Sequence, residues 1–356
     1  MRKKPNKLRL SQLLMLAFMF AIFGSTMMPR TNAQSDDPGS LQLTTSPLPI
    51  SLSARPGQKV TTELKIRNGG LKDERLKVGL MKFSAYGEEG KPLLEERAKN
   101  DDYFDWVSFS ETNFLAESNK WHNITMTITL PDSAAFGYYY AVIFSRANVA
   151  LPTPKTEAKL EGGTATLVLL EAIVPNANRE IKLDSFSVEK RFYEFLPAKF
   201  VTKLSNAGNV HGIPHGTIFI RRGGKQVAAV AMNDTSGNIL PGSKRNFDAD
   251  WSDGFPFYKL KEDSGGAVLK DGKTSHQLEW DFSKITRLRF GKYTAHLVMV
   301  YDDGTKDVPA EAIVSFWVVP WRIIFFSLII IVLSGFGLWS VLRRFVKRPR
   351  NKYELR

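Results

Sequence analysis

Cysteine is absent from the 356 residues. That excludes disulfide staples, thiolate metal sites, a cysteine nucleophile and a lipid-modified N-terminal cysteine. Catalytic signatures are missing as well: there is no G-x-S-x-G, no H-E-x-x-H and no phosphate-cradling glycine loop. Two acidic clusters occur, Asp101, Asp102 and Asp105, then Asp248, Asp250 and Asp253, without any partner set around them. Glycoside cleavage needs two carboxyls at a fixed separation, and scattered acids read more simply as solvated surface. Histidine is scarce, five in all, and His211 with His215 is the one metal-like spacing. Gly212 and Pro214 between them oppose the helix that would bring both rings to one face. Asp302-Asp303-Gly304 reads as a hairpin turn, since the full twelve-residue calcium pattern is missing. No enzyme, metal or cofactor is expected.

Long apolar runs number two. Ile323 to Leu342 is 20 residues without a charge, enough for a helix of roughly 30 Å, the thickness of bilayer hydrocarbon. Trp317 and Trp321 precede it, Trp339 lies near its far end, and Arg343, Arg344, Lys347, Arg348, Arg350, Lys352 and Arg356 follow. Indoles favour the headgroup level and basic flanks stay cytoplasmic, so residues 321–342 are expected to anchor the chain, with 343–356 as a cytoplasmic tail. The second run, Leu13 to Phe23, follows Arg2, Lys3, Lys4, Lys7 and Arg9 and precedes Thr31-Asn32-Ala33. This is the layout of a signal peptide over 1–33, too short to span. The expected location is a single-pass cell-membrane protein with its N-terminal ectodomain outside.

The formal net charge is +13, but residues 34–320 hold 35 Lys/Arg and 35 Asp/Glu. The excess belongs to the two ends, and a neutral ectodomain has no reason to track nucleic acid.

The ectodomain reads as β throughout. Val60 to Ile66 and Trp121 to Leu130 alternate, while Gly137 to Ser145 and Thr164 to Val174 are almost continuously apolar. Near Pro175-Asn176-Ala177-Asn178 the pattern breaks and restarts. Lys65-Ile66-Arg67-Asn68-Gly69-Gly70 returns as Lys203-Leu204-Ser205-Asn206-Ala207-Gly208, and the G-x-Y-x-A of Gly137 to Ala141 returns as Gly291 to Ala295. Two copies of one fold are expected, over 38–176 and 179–318. Short strands with a tyrosine opening a late one predict tandem immunoglobulin-like β-sandwiches, with Tyr139 and Tyr293 as corner tyrosines. Asn68 and Asn206 would hold the turns ending their strands, where asparagine tolerates left-handed geometry.

Pro131 to Phe144, Asn206 to His211, Leu240-Pro241-Gly242-Ser243, Trp106, Trp251 and the passage Phe316 to Trp321 into one helix carry a resemblance. The chain resembles the WxL-interacting protein family, two-domain bacterial surface proteins with a C-terminal anchor. That resemblance implies a first domain associated with peptidoglycan and a second with another surface ligand. The segments 146–163 and 252–286 depart from the family as inserts.

If Tyr139, Ala141 and Ile143 point inward, by analogy with Tyr293, Ala295 and Leu297, then Tyr138, Tyr140 and Phe144 face the other way. Those three are the candidate ligand-binding residues, as an aromatic surface for sugar rings or a partner protein. The ordinary alternative is that a neighbouring strand, the other domain or the first insert covers them. The expected function is adhesion or scaffolding, through binding of a cell-wall polymer or another surface protein. The alternative is an extracytoplasmic chaperone that holds client strands at a sandwich edge. Cleavage after Ala33 should leave a mature chain starting at Gln34, checked by N-terminal sequencing of the membrane-bound protein; an N-terminus still at Met1 contradicts it.

Overall fold

The computed structural model describes residues 41–148, 162–263, 266–267, 269–270 and 273–346. The expected signal peptide and most of the basic tail lie outside them. The chain is all-β, two tandem immunoglobulin-like sandwiches followed by one apolar helix.

The first sandwich comprises β1 (Leu43–Ser46), β2 (Ile50–Ala54), β3 (Lys59–Asn68), β4 (Glu74–Tyr86), β5 (Lys91–Glu95), β6 (Val107–Phe109), β7 (Asn113–Ala116), β8 (Trp121–Thr129), β9 (Phe136–Arg146) and β10 (Gly163–Ala172). One sheet runs β1-β3-β8-β6, the other β2-β10-β9-β4-β5 with β7 also on β4. Alternation in β3 and β8 sends Leu64, Ile66, Ile124, Met126 and Ile128 inward, where they meet Tyr140, Val142, Phe144, Val168 and Leu170.

The second sandwich comprises β11 (Ile181–Val188), β12 (Phe192–Tyr193), β13 (Ala198–Asn206), β14 (His215–Arg222), β15 (Lys225–Met232) and β16 (Lys244–Trp251). An insert follows, with β17 (Phe257–Leu260), β18 (Glu262–Asp263), β19 (Gly266–Ala267), β20 (Leu269–Lys270), β21 (Lys273–Thr274), β22 (His276–Glu279) and a 3₁₀ turn at Phe282–Arg287. The sandwich closes with β23 (Gly291–Asp302) and β24 (Asp307–Val318). Its sheets are β11-β13-β16 and β12-β24-β23-β14-β15. Phe200, Leu204 and Trp251 pack there against Ile218, Tyr293, Leu297 and Phe316. In each sandwich the last strand has a short early strand parallel to it, β2 on β10 and β12 on β24, while the remaining named pairs within the four main sheets are antiparallel.

Asn68 and Asn206 end β3 and β13 as expected, but neither has positive φ. Their work is hydrogen bonding. Asn206 Nδ2 donates to the Val210 and Ile239 carbonyls at 2.8 and 2.9 Å, and its Oδ1 accepts from Gly208 N at 2.8 Å. Asn68 repeats the pattern, donating to Lys72 and Ala116 and accepting from Gly70 N. The hairpin expected at Asp302-Asp303-Gly304 joins β23 to β24, with Gly304 at φ +97°.

After Val318 comes α1 (Trp321–Val346), whose apolar face is exposed all round. Among the described residues it is the one helix long and apolar enough to cross a membrane.

Asn206→Ala would strand the Val210 carbonyl and Gly208 N, each costing about 1–3 kcal/mol less whatever water restores, while the Ile239 carbonyl keeps its bond from Gly212 N. The variant should therefore lose about 3 kcal/mol of stability, read as a lower urea midpoint. A midpoint within error of the parent contradicts this role.

Candidate functional site

The strand β9 decides where a partner could reach the first sandwich. Its register places Tyr140 opposite Val168 and Phe144 opposite Thr164, and both aromatic side chains are wholly buried in the core between the sheets. Tyr140 Oη donates to the Tyr103 carbonyl at 2.9 Å, and burial pushes its ionisation far above the usual tyrosine range. Tyr138 is half-buried, its ring centroid 4.7 Å from Trp106 and 5.3 Å from Tyr103. The expectation that Tyr138, Tyr140 and Phe144 form an outward ligand face is therefore corrected: Tyr140 and Phe144 are core, and Tyr138 packs half-buried against it.

The error is a one-residue slip in matching the two copies. Tyr293 Oη accepts from Phe290 N at 3.2 Å, three residues upstream. In the first sandwich the same bond is made by Tyr138, which accepts from Ala135 N at 3.0 Å. Tyr138, not Tyr139, is the counterpart of Tyr293. Both faces of β9 are apolar, so strand alternation could not choose between them.

Tyr139, Ala141 and Ile143 lie on the outer face and form a second cluster with Met81, Phe83, Leu94 and Leu169. Leu240 of the second sandwich packs against it, and the His211 ring stands 5.9 Å from Tyr139, edge to face. The sandwiches are further joined at the β4–β5 turn. Glu88 O accepts from Asn246 N at 2.7 Å, and the Glu88 carboxylate meets the Lys203 ammonium, which holds it below the usual carboxylate range. Arg179 in the connecting segment grips Glu171 of β10, with Nη2 at 2.5 and 2.6 Å from the two carboxylate oxygens.

Beside these contacts a cavity of about 330 Å³ opens between the sandwiches. Leu48, Phe83, Leu167, Leu169 and Leu240 give it an apolar floor, while Lys91, Lys244 and Arg245 stand on its wall and no acidic residue lines it. Arg245 is half-buried, over the Phe247 ring at 5.1 Å, and donates to the Asn238 carbonyl at 2.8 Å. Among the described residues it has no carboxylate partner, and burial lowers its proton affinity.

The strand running past this cavity, β10, is paired unevenly. All of Gly163–Ala172 pairs β9, but β2 covers only Val168–Ala172 on the other side. Among the described residues no strand pairs the second edge of Gly163–Leu167. The chain before β2 could have continued along that edge, but Ser46-Pro47-Leu48-Pro49 turns it into the opposite sheet as β1, and proline has no N–H to give a ladder. The open stretch is Gly-Thr-Ala-Thr-Leu, with neither charge nor proline. The last strand of the second sandwich is open in the same way from Asp307 to Phe316, yet it carries exposed Asp307, Pro309 and Glu311, which blunt an edge. Apolar character located β10 and the Asp-Gly turn implied a strand after it, but neither could say which edges remain unpaired.

Of the two histidines at metal-like spacing, His211 is buried at the interface and His215 is exposed at the start of β14. The clusters at Asp101–Asp105 and Asp248–Asp253 are tied largely to bases: Asp105 to Arg97, Asp248 to Lys199, Asp253 to Arg287 and Arg289.

No family model matches the chain, and no curated protein does. Among solved structures it is similar to the class 5 fimbriae chaperone CfaA, at 11% identity and TM-score 0.34, over 76% of this chain and 98% of that one. It is also similar to the E. coli chaperone DraB, at 10% identity and TM-score 0.33, over 76% of this chain and 96% of that one. A third is the CsuC–CsuE chaperone–tip adhesion subunit complex from Acinetobacter baumannii, at 11% and 0.32, over 76% and 97%. Likeness at this level says nothing about what this chain binds.

Burial, with the Arg179 charge adding to it, pushes the His211 imidazole down to about 4. The unfolded chain takes up that proton near pH 6.5, so stability is full above pH 6.5 and falls as the pH drops toward 4. Between pH 7 and pH 5 the parent should lose about 2 kcal/mol that His211→Gln does not. Urea unfolding of both at the two pH values checks this; equal slopes contradict it.

Proposed function

We propose that this chain is an extracytoplasmic, membrane-anchored holder of extended protein segments, with chaperone-like use of a sandwich edge. The observation that carries it is the unpaired, uncharged edge of β10 at Gly163–Leu167, beside the cavity between the sandwiches. A partner strand of about five residues, about 17 Å long, would continue the track of β2 and satisfy the free backbone groups. Its direction would be parallel to β10, as that of β2 is. Leu167 and Leu169 lead into the cavity, so one apolar side chain of the partner would fall there. The basic wall favours a segment that also bears negative charge. Anchoring by α1, with the sandwiches outside, rests on its apolar surface and on the basic residues after Leu342.

Adhesion to a wall polymer loses the aromatic face as one of its routes, because Tyr140 and Phe144 are core residues and Tyr138 packs against them. Binding of another surface protein would use this same edge.

A photo-reactive benzoylphenylalanine in place of Ala165 should cross-link an exported protein in cells, and one in place of Pro309 should not. The partner so identified should slow exchange of the outward amides within Gly163–Leu167 by tenfold or more, a factor worth about 1.4 kcal/mol. Cross-links to glycan alone, or equal protein yield from both positions, contradict the proposal.

A further inference from the structure

We infer that the second sandwich sits on the bilayer itself, segments 252–261 and 275–290 of its insert lying among the lipid headgroups. This rests on the reading of α1 as a membrane anchor. Four landmarks lie at one end of the sandwich: Gly291 pairs Val318, Tyr193 pairs Val318, Ala198 pairs Trp251, and the Trp251 ring is 5.1 Å from Tyr293. The insert leaves this end after Trp251 and returns to it at Gly291. The anchor leaves it too. Only Val319 and Pro320 separate β24 from α1, a reach of about 7 Å even when extended. Val319 N is held to the Tyr193 carbonyl at 2.8 Å, which shortens that reach further. The headgroup layer is about 6 Å deep on each side of the hydrocarbon, so this end of the sandwich cannot stand clear of it.

The first turn of α1 also touches the insert's supports. Arg322 pairs with Glu194 at 3.4 Å, and Tyr258 of β17 donates to the same carboxylate at 3.4 Å.

The surface at this end suits lipid. Trp280, Phe282 and Ile285 on the insert are 48%, 66% and 56% exposed, with Phe192 and Trp317 exposed beside the anchor. Bare aromatics of that number need a cover, and indole and phenyl rings partition to the membrane interface. The charge is segregated to match. Lys190, Arg191, Arg221, Arg222 and Lys292 are exposed and, among the described residues, in no ion pair. The Arg221↔Thr294 pairing brings the arginines of β14 to the Gly291 end. Among the acids nearby Asp253 is paired with Arg287 and Arg289, Asp281 with Lys284 and Glu194 with Arg322, which leaves Glu189, Asp250 and Glu279 without an ion pair among the described residues, fewer than the bare bases. An ectodomain neutral in sum is thus basic where it would meet anionic lipid.

The absence of native cysteine allows a clean test on the full chain. Ile285→Cys and Thr61→Cys, each labelled with an environment-sensitive fluorophore, are reconstituted in phosphatidylglycerol-containing vesicles with a nitroxide lipid labelled near its headgroup. Position 285 should shift to the blue and be quenched several-fold more than position 61 on the first sandwich. Vesicles that float with the protein but leave both labels equally aqueous overturn this inference and spare the anchor. Protein that fails to float with the vesicles overturns the anchor, and the inference with it.

Discussion

Burial of the sheet β2-β10-β9-β4-β5 on both of its faces is the constraint from which the rest follows. One face closes the core of the first sandwich through Tyr140, Val142 and Phe144, the other receives the second sandwich through Tyr139 and Leu169. A sheet with one wet face would show polar residues at alternate positions, and β9 shows none between Tyr138 and Phe144. The apolar excess that suggests a binding platform is the cost of a two-sided sheet. His211 and Leu240 are therefore interface residues of the second sandwich, and the neutral imidazole follows from the same exclusion of water.

Holding that sheet between two partners leaves its edges as the places where backbone groups remain free. Edges are hazards, and the chain manages them unequally. Proline and acids blunt β24, whereas on β10 the prolines at 47 and 49 lie in the departing segment and leave Gly163–Leu167 plain. An edge left flat and uncharged next to an apolar cavity has the form of a receptor for a strand, and a blunted edge on the neighbouring copy limits where pairing takes place.

The second sandwich works at both of its ends. The hairpin end at Gly304 faces Arg179, the residue that grips Glu171 of β10. The other end bears the insert and the start of α1, tied through Glu194. The short passage from β24 into α1 gives the second sandwich little freedom to tilt relative to the helix, since Val319 is already bonded to β12. Access to the β10 edge would then be set by the height of the second sandwich above the lipid.

Element type was legible in the residues because alternation and turn chemistry are local. Lys59–Asn68 and Trp121–Thr129 emerge from period-two runs, Phe136–Arg146 from a nearly continuous apolar run, and Asp303-Gly304 from the demand for positive φ. The apolar helix was legible for the same reason, as a pattern within one stretch of chain, and the duplication because two such local patterns recur in the same order. Facing was not. From Tyr138 to Phe144 every position is apolar, so a slip of one residue costs nothing in the pattern yet exchanges the core of the sandwich for its outer face; the hydroxyl of Tyr138 meeting Ala135 N marks the parity. Nor could any pattern reveal which half of β10 lacks a neighbour, because pairing is a relation between Ile50–Ala54 and Val168–Ala172, more than a hundred residues apart. The sequence by itself determined where strands, turns and the apolar helix form, through local backbone preference and periodicity; the tertiary structure alone decided which faces are dry and which edge is open, because both depend on segments that meet only after folding.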